Sequence, residues 1–181
     1  MTPNDQKIAE AMRKNPQQGF KLLMAAYMQP MYWHTRRLVG SHDDAEDATQ
    51  EALVRIYKSF DQYDAKRSLT AWVFTIATRE ALRLLARRAG RATVSLDEAT
   101  AQVLSLAAPD QWLDSSDTIA VKLQQAIHTL SAKQQVTFNL RYYDELSYAE
   151  IAEVTGSTAA AAKVNYHVAK EKITQYMNQH D

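Results

Sequence analysis

The chain contains no cysteine, and only four glycines and four prolines among its 181 residues. Without thiols there is no disulfide framework, no thiolate nucleophile and no Cys-based zinc site. No apolar run approaches the length that a bilayer crossing needs. The opening segment MTPNDQKIAEAMRKNP also lacks the apolar centre of a signal peptide. A cytoplasmic protein without membrane insertion is therefore expected. Strand-like alternation and internal repeats are missing as well. What remains is long stretches of helical periodicity, 46% apolar residues to build a core, and a few glycines and prolines that punctuate them.

A formal net charge of zero hides a division. Residues 1–91 carry fifteen Lys/Arg against ten Asp/Glu. Residues 92–118 carry five acids and no base, and residues 119–181 carry six of each sign. A basic first part, an acidic middle and a neutral last part suggest segments with different partners.

Helix punctuation gives the organisation. Pro16 suits the first turn of a helix running towards Leu38, with Gly40 after its end. Pro30 predicts a kink or a split in that run. A second helix is expected over Asp43 to Phe60 and a third over Ser68 to Arg88, before Gly90. Residues 92–116 have no sustained period, are rich in Ala, Ser and Asp, and read as a linker. Helices resume at Ile119 to Thr129 and Lys133 to Tyr143. The expected fold is all-α, with two small helical domains, residues 1–91 and 117–181, joined by a flexible acidic linker.

Leu146 to Ile173 reads as a helix-turn-helix. Ser147 and Glu150 form a capping box for a short helix that buries Ile151, Ala152 and Val154. Gly156 breaks the helix where a left-handed residue is needed. Thr158 caps a second helix with an apolar stripe of Ala159, Ala162, Tyr166, Ala169, Ile173 and Met177. Such a unit usually lays its second helix in the DNA major groove; the plainer alternative is a helical hairpin. The outward positions Ala160, Lys163, Val164, His167 and Val168, with Ser157 and Thr158 at the entry, are lightly charged. Lys163 and His167 can meet phosphates or base edges, and the small apolar residues can meet thymine methyls.

Two further surfaces stand out. On the helix from Asp43 to Phe60, Ala45, Ala48, Ala52, Leu53, Ile56 and Phe60 share a core face. Opposite lie Asp47, Glu51, Val54 and Lys58, flanked by Asp43, Asp44 and Gln50. Outer-face charges are usually only solvated, but Val54 gives this acidic stripe an apolar centre that suits a partner. On the helix from Ser68 to Arg88, Leu69, Val73, Ile76, Ala77 and Leu84 form the core stripe. Trp72, Thr75, Arg79 and Arg83 run beside it, followed by Arg87, Arg88 and Arg91, and the preceding loop adds Tyr63, Lys66 and Arg67. Arginines neutralise phosphates and aromatic rings stack on exposed bases, as melted nucleic acid requires. The alternative makes Trp72 core and the arginines solubilising.

His42-Asp43, with His34 upstream, also fits a metal phosphohydrolase in residue type. Asp43 and Asp44 sit where a helix cap uses them anyway, and no second His–Asp set follows. No catalytic residue, metal or cofactor is expected.

DAEDATQEALVRIY, Asp44 to Tyr57, followed by RSLTAWVFTIATREALRLLARR, Arg67 to Arg88, resembles region 2 of the extracytoplasmic-function (ECF) group of sigma-70-type RNA polymerase sigma factors. Ile127 to Ile173, centred on LSAKQQVTFNLRYYDELSYAEIAEVTG, resembles region 4 of the same group. The resemblance implies an initiation factor rather than an enzyme. It implies that Asp47, Gln50, Glu51 and Arg55, overlapping the stripe around Val54, grip the clamp coiled coil of the polymerase largest subunit. It implies that the loop and helix from Tyr63 to Arg83 capture and melt the −10 promoter element. Region 4 would contact the polymerase flap and read the −35 element through Ser157 to Lys170. An anti-sigma factor that covers the polymerase-binding surfaces is a further implied partner. The family often has Asn and Asp where this chain has Arg79 and Arg83, and a Ser-Arg pair and a later Arg where it has Val164, Asn165 and Val168. Thr155 and Ser157 replace typical apolar residues around the turn. The rival from another class is an autonomous helix-turn-helix regulator, which leaves the acidic stripe and the Trp/Arg helix unexplained.

Overall fold

The computed structural model describes residues 3–90 and 118–179. The expected linker over 92–116, together with Arg91, lies outside the described residues. Among those described, the structure is helical and has no strand. The first group comprises α1 (Pro3–Lys14), α2 (Pro16–Val39), α3 (His42–Ser59), a 3-10 turn (Phe60–Gln62) and α4 (Leu69–Arg88). The second comprises α5 (Thr118–His128), α6 (Ala132–Tyr142), α7 (Tyr148–Thr155) and α8 (Ala159–Gln179).

Local chemistry fixes most boundaries. Asn15, Ser41, Ser68, Ser131 and Ser147 each accept a backbone N–H of the helix that they precede, satisfying donors that the first turn leaves open. Ser147 and Glu150 form the expected capping box. Gly156 follows α7 at φ +63, in the left-handed region that other residues enter at a cost. Thr158 Oγ1 accepts from Ala161 N at 3.1 Å and opens α8.

Two features depart from the sequence reading. The polar opening segment forms α1, which buries Ile8, Ala9 and Met12. It lies so close to α2 that a Cβ on Gly19 would fall 2.2 Å from the Met12 backbone nitrogen. Asp5 anchors it: Tyr27 donates to Asp5 at 2.6 Å and shares a 2.8 Å bond with Thr70 of α4. Burial first, and the Asp5 hydrogen bond second, push the Tyr27 hydroxyl well above the ordinary tyrosine range. The second departure is Pro30, which sits inside α2 without splitting it. Loss of one backbone bond costs about 3 kcal/mol. Burial of Leu23, Tyr27, Met31 and Leu38 on both sides of it offsets that at about 1.5–3 kcal/mol per large apolar side chain.

Helices α2, α3 and α4 pack around Leu23, Met31, Leu38, Ile56 and Leu69. In the second group, Ile127, Leu130, Phe138, Ala169 and Ile173 join α5, α6 and α8. The two groups meet. Helix α7 lies on α4, and Leu146, Ile151, Val154, Ala162, Val136 and Leu140 belong to the same contiguous core as α2 to α4.

Candidate functional site

Helix α3 sorts its residues as the periodicity predicts. Ala45, Ala48, Ala52 and Ile56 are almost wholly buried, while Asp47, Gln50, Glu51, Val54 and Arg55 are exposed. Val54 remains 48% exposed, an apolar centre that water covers at a cost. The structure adds Tyr57, 43% exposed, whose ring meets Phe20 of α2 edge-on at 5.1 Å. Tyr57 was findable as the next turn after Val54; Phe20 was not, because only tertiary packing brings α2 there. Asp44 is a correction. It is buried at 1% exposure and pairs with Arg88 of α4, so it belongs between α3 and α4 rather than beside the polar face.

On α4, Arg79, Arg83 and Arg87 are exposed at successive four-residue steps on one side of the helix. Thr75 is half-buried and donates to Ala71 O at 2.6 Å, so its hydroxyl proton is already used. Trp72 is half-buried, 5.2 Å from the Tyr63 ring and 5.9 Å from Phe60. Tyr63 is the second correction. It is 5% exposed and donates to Arg67 O at 2.8 Å, so it packs beneath the loop instead of presenting a ring for stacking. Burial raises its hydroxyl pKa above the ordinary value. Lys66 stays exposed, and its backbone N–H donates to Asp64 Oδ1 at 2.9 Å.

The loop end is covered by α7. Arg67 pairs with Glu153 at 3.2 Å, and Ser68 Oγ donates to Glu150 Oε1 at 2.7 Å. The second Glu150 oxygen accepts from Ser147 N at 2.9 Å. Burial raises the Glu150 carboxyl, but the bonds from Ser68 and Ser147 outweigh it and hold it below its ordinary value. With the folded pKa depressed, the stabilisation is present above the ordinary glutamate value and is lost as pH falls through the lowered one. A second junction lies nearby. Asp144, just after α6, accepts from Arg37 Nη2 at 2.5 Å, and its other oxygen lies 3.1 Å from His34 Nδ1. His34 Nε2 meets Thr78 Oγ1 at 2.8 Å, and the Arg37 guanidinium lies 4.6 Å over the Tyr143 ring.

Helix α8 turns Thr158, Ala160, Lys163, Val164, His167 and Lys170 outward, with Val164 61% exposed. Ser157 is half-buried and shares a 2.8 Å hydrogen bond with Thr155. His167 pairs with Glu171 at 3.3 Å across the helix surface, an exposed contact that contributes little. Lys170 lies 5.7 Å over the Tyr166 ring. The face is lightly basic.

The histidines singled out in the sequence have separate partners. His34 is held by Asp144 and Thr78, and His42 by Tyr32 and Glu46. Among the described residues, no group of three His, Asp or Glu side chains is placed to hold a metal ion. No helix of the described residues is long and apolar enough to cross a membrane.

The Sigma-70 region 2 family model matches residues 23–91, and the Sigma-70 region 4 model matches residues 120–173. Together they cover about two thirds of the chain. The chain is 25% identical over 178 residues to the ECF RNA polymerase sigma factor SigW of Bacillus subtilis, covering 94% of this chain and 95% of that protein. It is 29% identical over 146 residues to the ECF RNA polymerase sigma factor SigF of Caulobacter vibrioides, covering 81% and 78%. Its fold is shared with CnrH, solved in complex with the cytosolic domain of CnrY, at a TM-score of 0.73 and 16% identity over 98% of this chain and 99% of that one. The sigma factor RpoE, solved with the anti-sigma factor NepR from Bartonella quintana, aligns at 0.60 and 22% identity, over 88% and 96%.

Proposed function

We propose, on the premise that this chain belongs to the sigma-70 family and is an ECF-type RNA polymerase sigma factor, that it divides promoter-directed initiation among three faces. The outward face of α3, Asp47, Gln50, Glu51, Val54 and Arg55, docks on the clamp coiled coil of the polymerase largest subunit. Lys66, Arg67, Trp72, Thr75, Arg79 and Arg83 engage the −10 element, with Tyr63 supporting their loop from below. Ser157, Thr158, Ala160, Lys163, Val164, His167 and Lys170 face the −35 element, and region 4 contacts the flap. Chemistry stays with the polymerase, and the factor itself turns over no substrate. The domain bounds that fit are residues 1–91 and 117–181.

One observation carries this reading: adjacent helices present opposite charge. Asp47 and Glu51 precede the exposed Val54 on the outer face of α3, and arginines stand in a row on α4. A carboxylate face suits a basic protein surface, and a row of arginines suits phosphates. The autonomous-regulator alternative leaves the α3 face without a role. An anti-sigma partner would find the same α3 face with exposed Val54 and Tyr57; CnrH and RpoE were each solved with a bound partner.

Alanine at both Arg79 and Arg83 tests the division. Core binding is expected to stay within twofold of wild type. Open-complex formation is expected to fall about tenfold or more, with the salt dependence of promoter binding reduced by roughly one or two charges. Loss of core binding with normal promoter opening contradicts the assignment.

A further inference from the structure

Asp5, Asp44 and Glu80 are buried acids of the first helical group. Asp5 serves Tyr27 and Asp44 serves Arg88. Glu80 lies one residue after Arg79 and three before Arg83, and is 3% exposed. Its Oε1 accepts from Arg83 Nη1 at 2.5 Å and forms an ion pair with Arg55, whose Nε lies 2.5 Å away. Arg55 stands on the α3 face and Arg83 on the α4 row, and they remain 52% and 45% exposed. One carboxylate oxygen thus holds an arginine from each of two surfaces.

A buried carboxylate is retained only when paired, because desolvation of the charge is costly. Two guanidinium groups brought together repel unless an anion lies between them. The arrangement has a further consequence for recognition. Arg55 meets Glu80 through Nε and Arg83 through one terminal nitrogen, so each guanidinium keeps further N–H donors for a target while Glu80 holds it in place. An arginine oriented by an internal carboxylate loses less rotamer freedom when it meets a target. The cost is that part of its charge is already neutralised, which favours a geometrically correct contact over an indiscriminate one with phosphate.

We infer that Glu80 is a positioning residue that orients Arg55 for polymerase and Arg83 for promoter DNA, coupling the two faces through one oxygen. The inference rests on the surface assignment proposed above. In Glu80→Gln the amide keeps the size of the side chain but loses the charge that holds both guanidinium groups. Core affinity is expected to fall about fivefold, as for a charge-assisted contact weakened but not removed. Discrimination between the holoenzyme's own promoter and scrambled duplex is expected to fall about tenfold, the scale of one arginine contact to a base. Binding to scrambled duplex is expected to hold or rise, since Arg83 is freed from its counter-charge. A merely structural role would weaken every binding mode together. Glu80→Asp, which retains the charge on a shorter arm, is expected to recover part of the discrimination.

The test is a pair of double-mutant cycles on the full-length protein with core polymerase, using the thermal midpoint of each variant as the folding control. Glu80→Gln is expected to add no core-binding defect in an Arg55→Ala background, and no discrimination defect in an Arg83→Ala background. If Glu80→Gln leaves both properties unchanged, or if its defects persist in full without the arginines, the inference is overturned while the surface assignment stands. If Arg55→Ala and Arg83→Ala are themselves silent in core binding and promoter discrimination, the surface assignment fails and takes the inference with it.

Discussion

Reversing Asp47 and Glu51 to lysine is expected to abolish core-polymerase binding, weakening it by about a thousandfold, while leaving the fold intact. Both carboxylates lie on the exposed side of α3, opposite Ala45, Ala48, Ala52 and Ile56. Replacing them places like charges against a basic partner, which costs several kcal/mol across an interface. The exposed positions themselves carry no hydrogen bond that holds α3 in place, so stability should move by no more than about 0.5 kcal/mol. Competition binding to purified core, alongside thermal denaturation, checks both halves. Core affinity within a few fold of wild type would contradict the α3 assignment.

The second large effect is at Asp144. Its side chain is 6% exposed and it faces Arg37, 11% exposed, and His34, fully buried. Asp144→Ala leaves these groups without their acceptor at the junction of the two helical groups. Removing one partner of a buried ion pair costs about 3–5 kcal/mol, and the loss should appear in the unfolding of α2 as well as α6. A second readout follows from the shared core of Ile151 and Val154 with Leu69 and Val73. After proteolytic cleavage between residues 92 and 117, the two wild-type pieces are expected to co-elute, and those of Asp144→Ala to separate. A variant with wild-type stability, or pieces that part equally in both proteins, would contradict the junction described here.

What the sequence revealed, and what it withheld, follows from the range of each interaction. Capping is local: Ser147, Glu150 and Gly156 announce a helix, its capping box and its stop within ten residues, and the structure agrees. The core stripes of α3 and α4 were equally legible, since burial at helical spacing leaves a period that any window detects. Helix α1 was not, because its few apolar residues sit in a polar segment and gain order only against α2. Pro30 misled because propensity counts the bond that is lost and not the burial of Tyr27 and Met31 on either side. Tyr63 and Asp44 look like surface residues by type, yet packing against Phe60 and Trp72 covers the one, and the other is buried where it pairs with Arg88. Of the proposed contacts, those on one helix face could be read in advance. Helical spacing brings Glu80 to Arg83, but the Arg55–Glu80 pair and the cover of α7 over Arg67 and Ser68 depend on residues far apart in the chain, and no periodicity encodes them.

Core dependence tests the central claim most directly. Native genomic DNA is transcribed with purified core polymerase, with and without the protein, and the 5′ ends of the transcripts are mapped. The expected result is a discrete set of start sites, preceded by shared −10 and −35 sequences, that appears only when both components are present. Tight binding of the protein alone to specific duplex DNA, with no new start site when core is added, would contradict it.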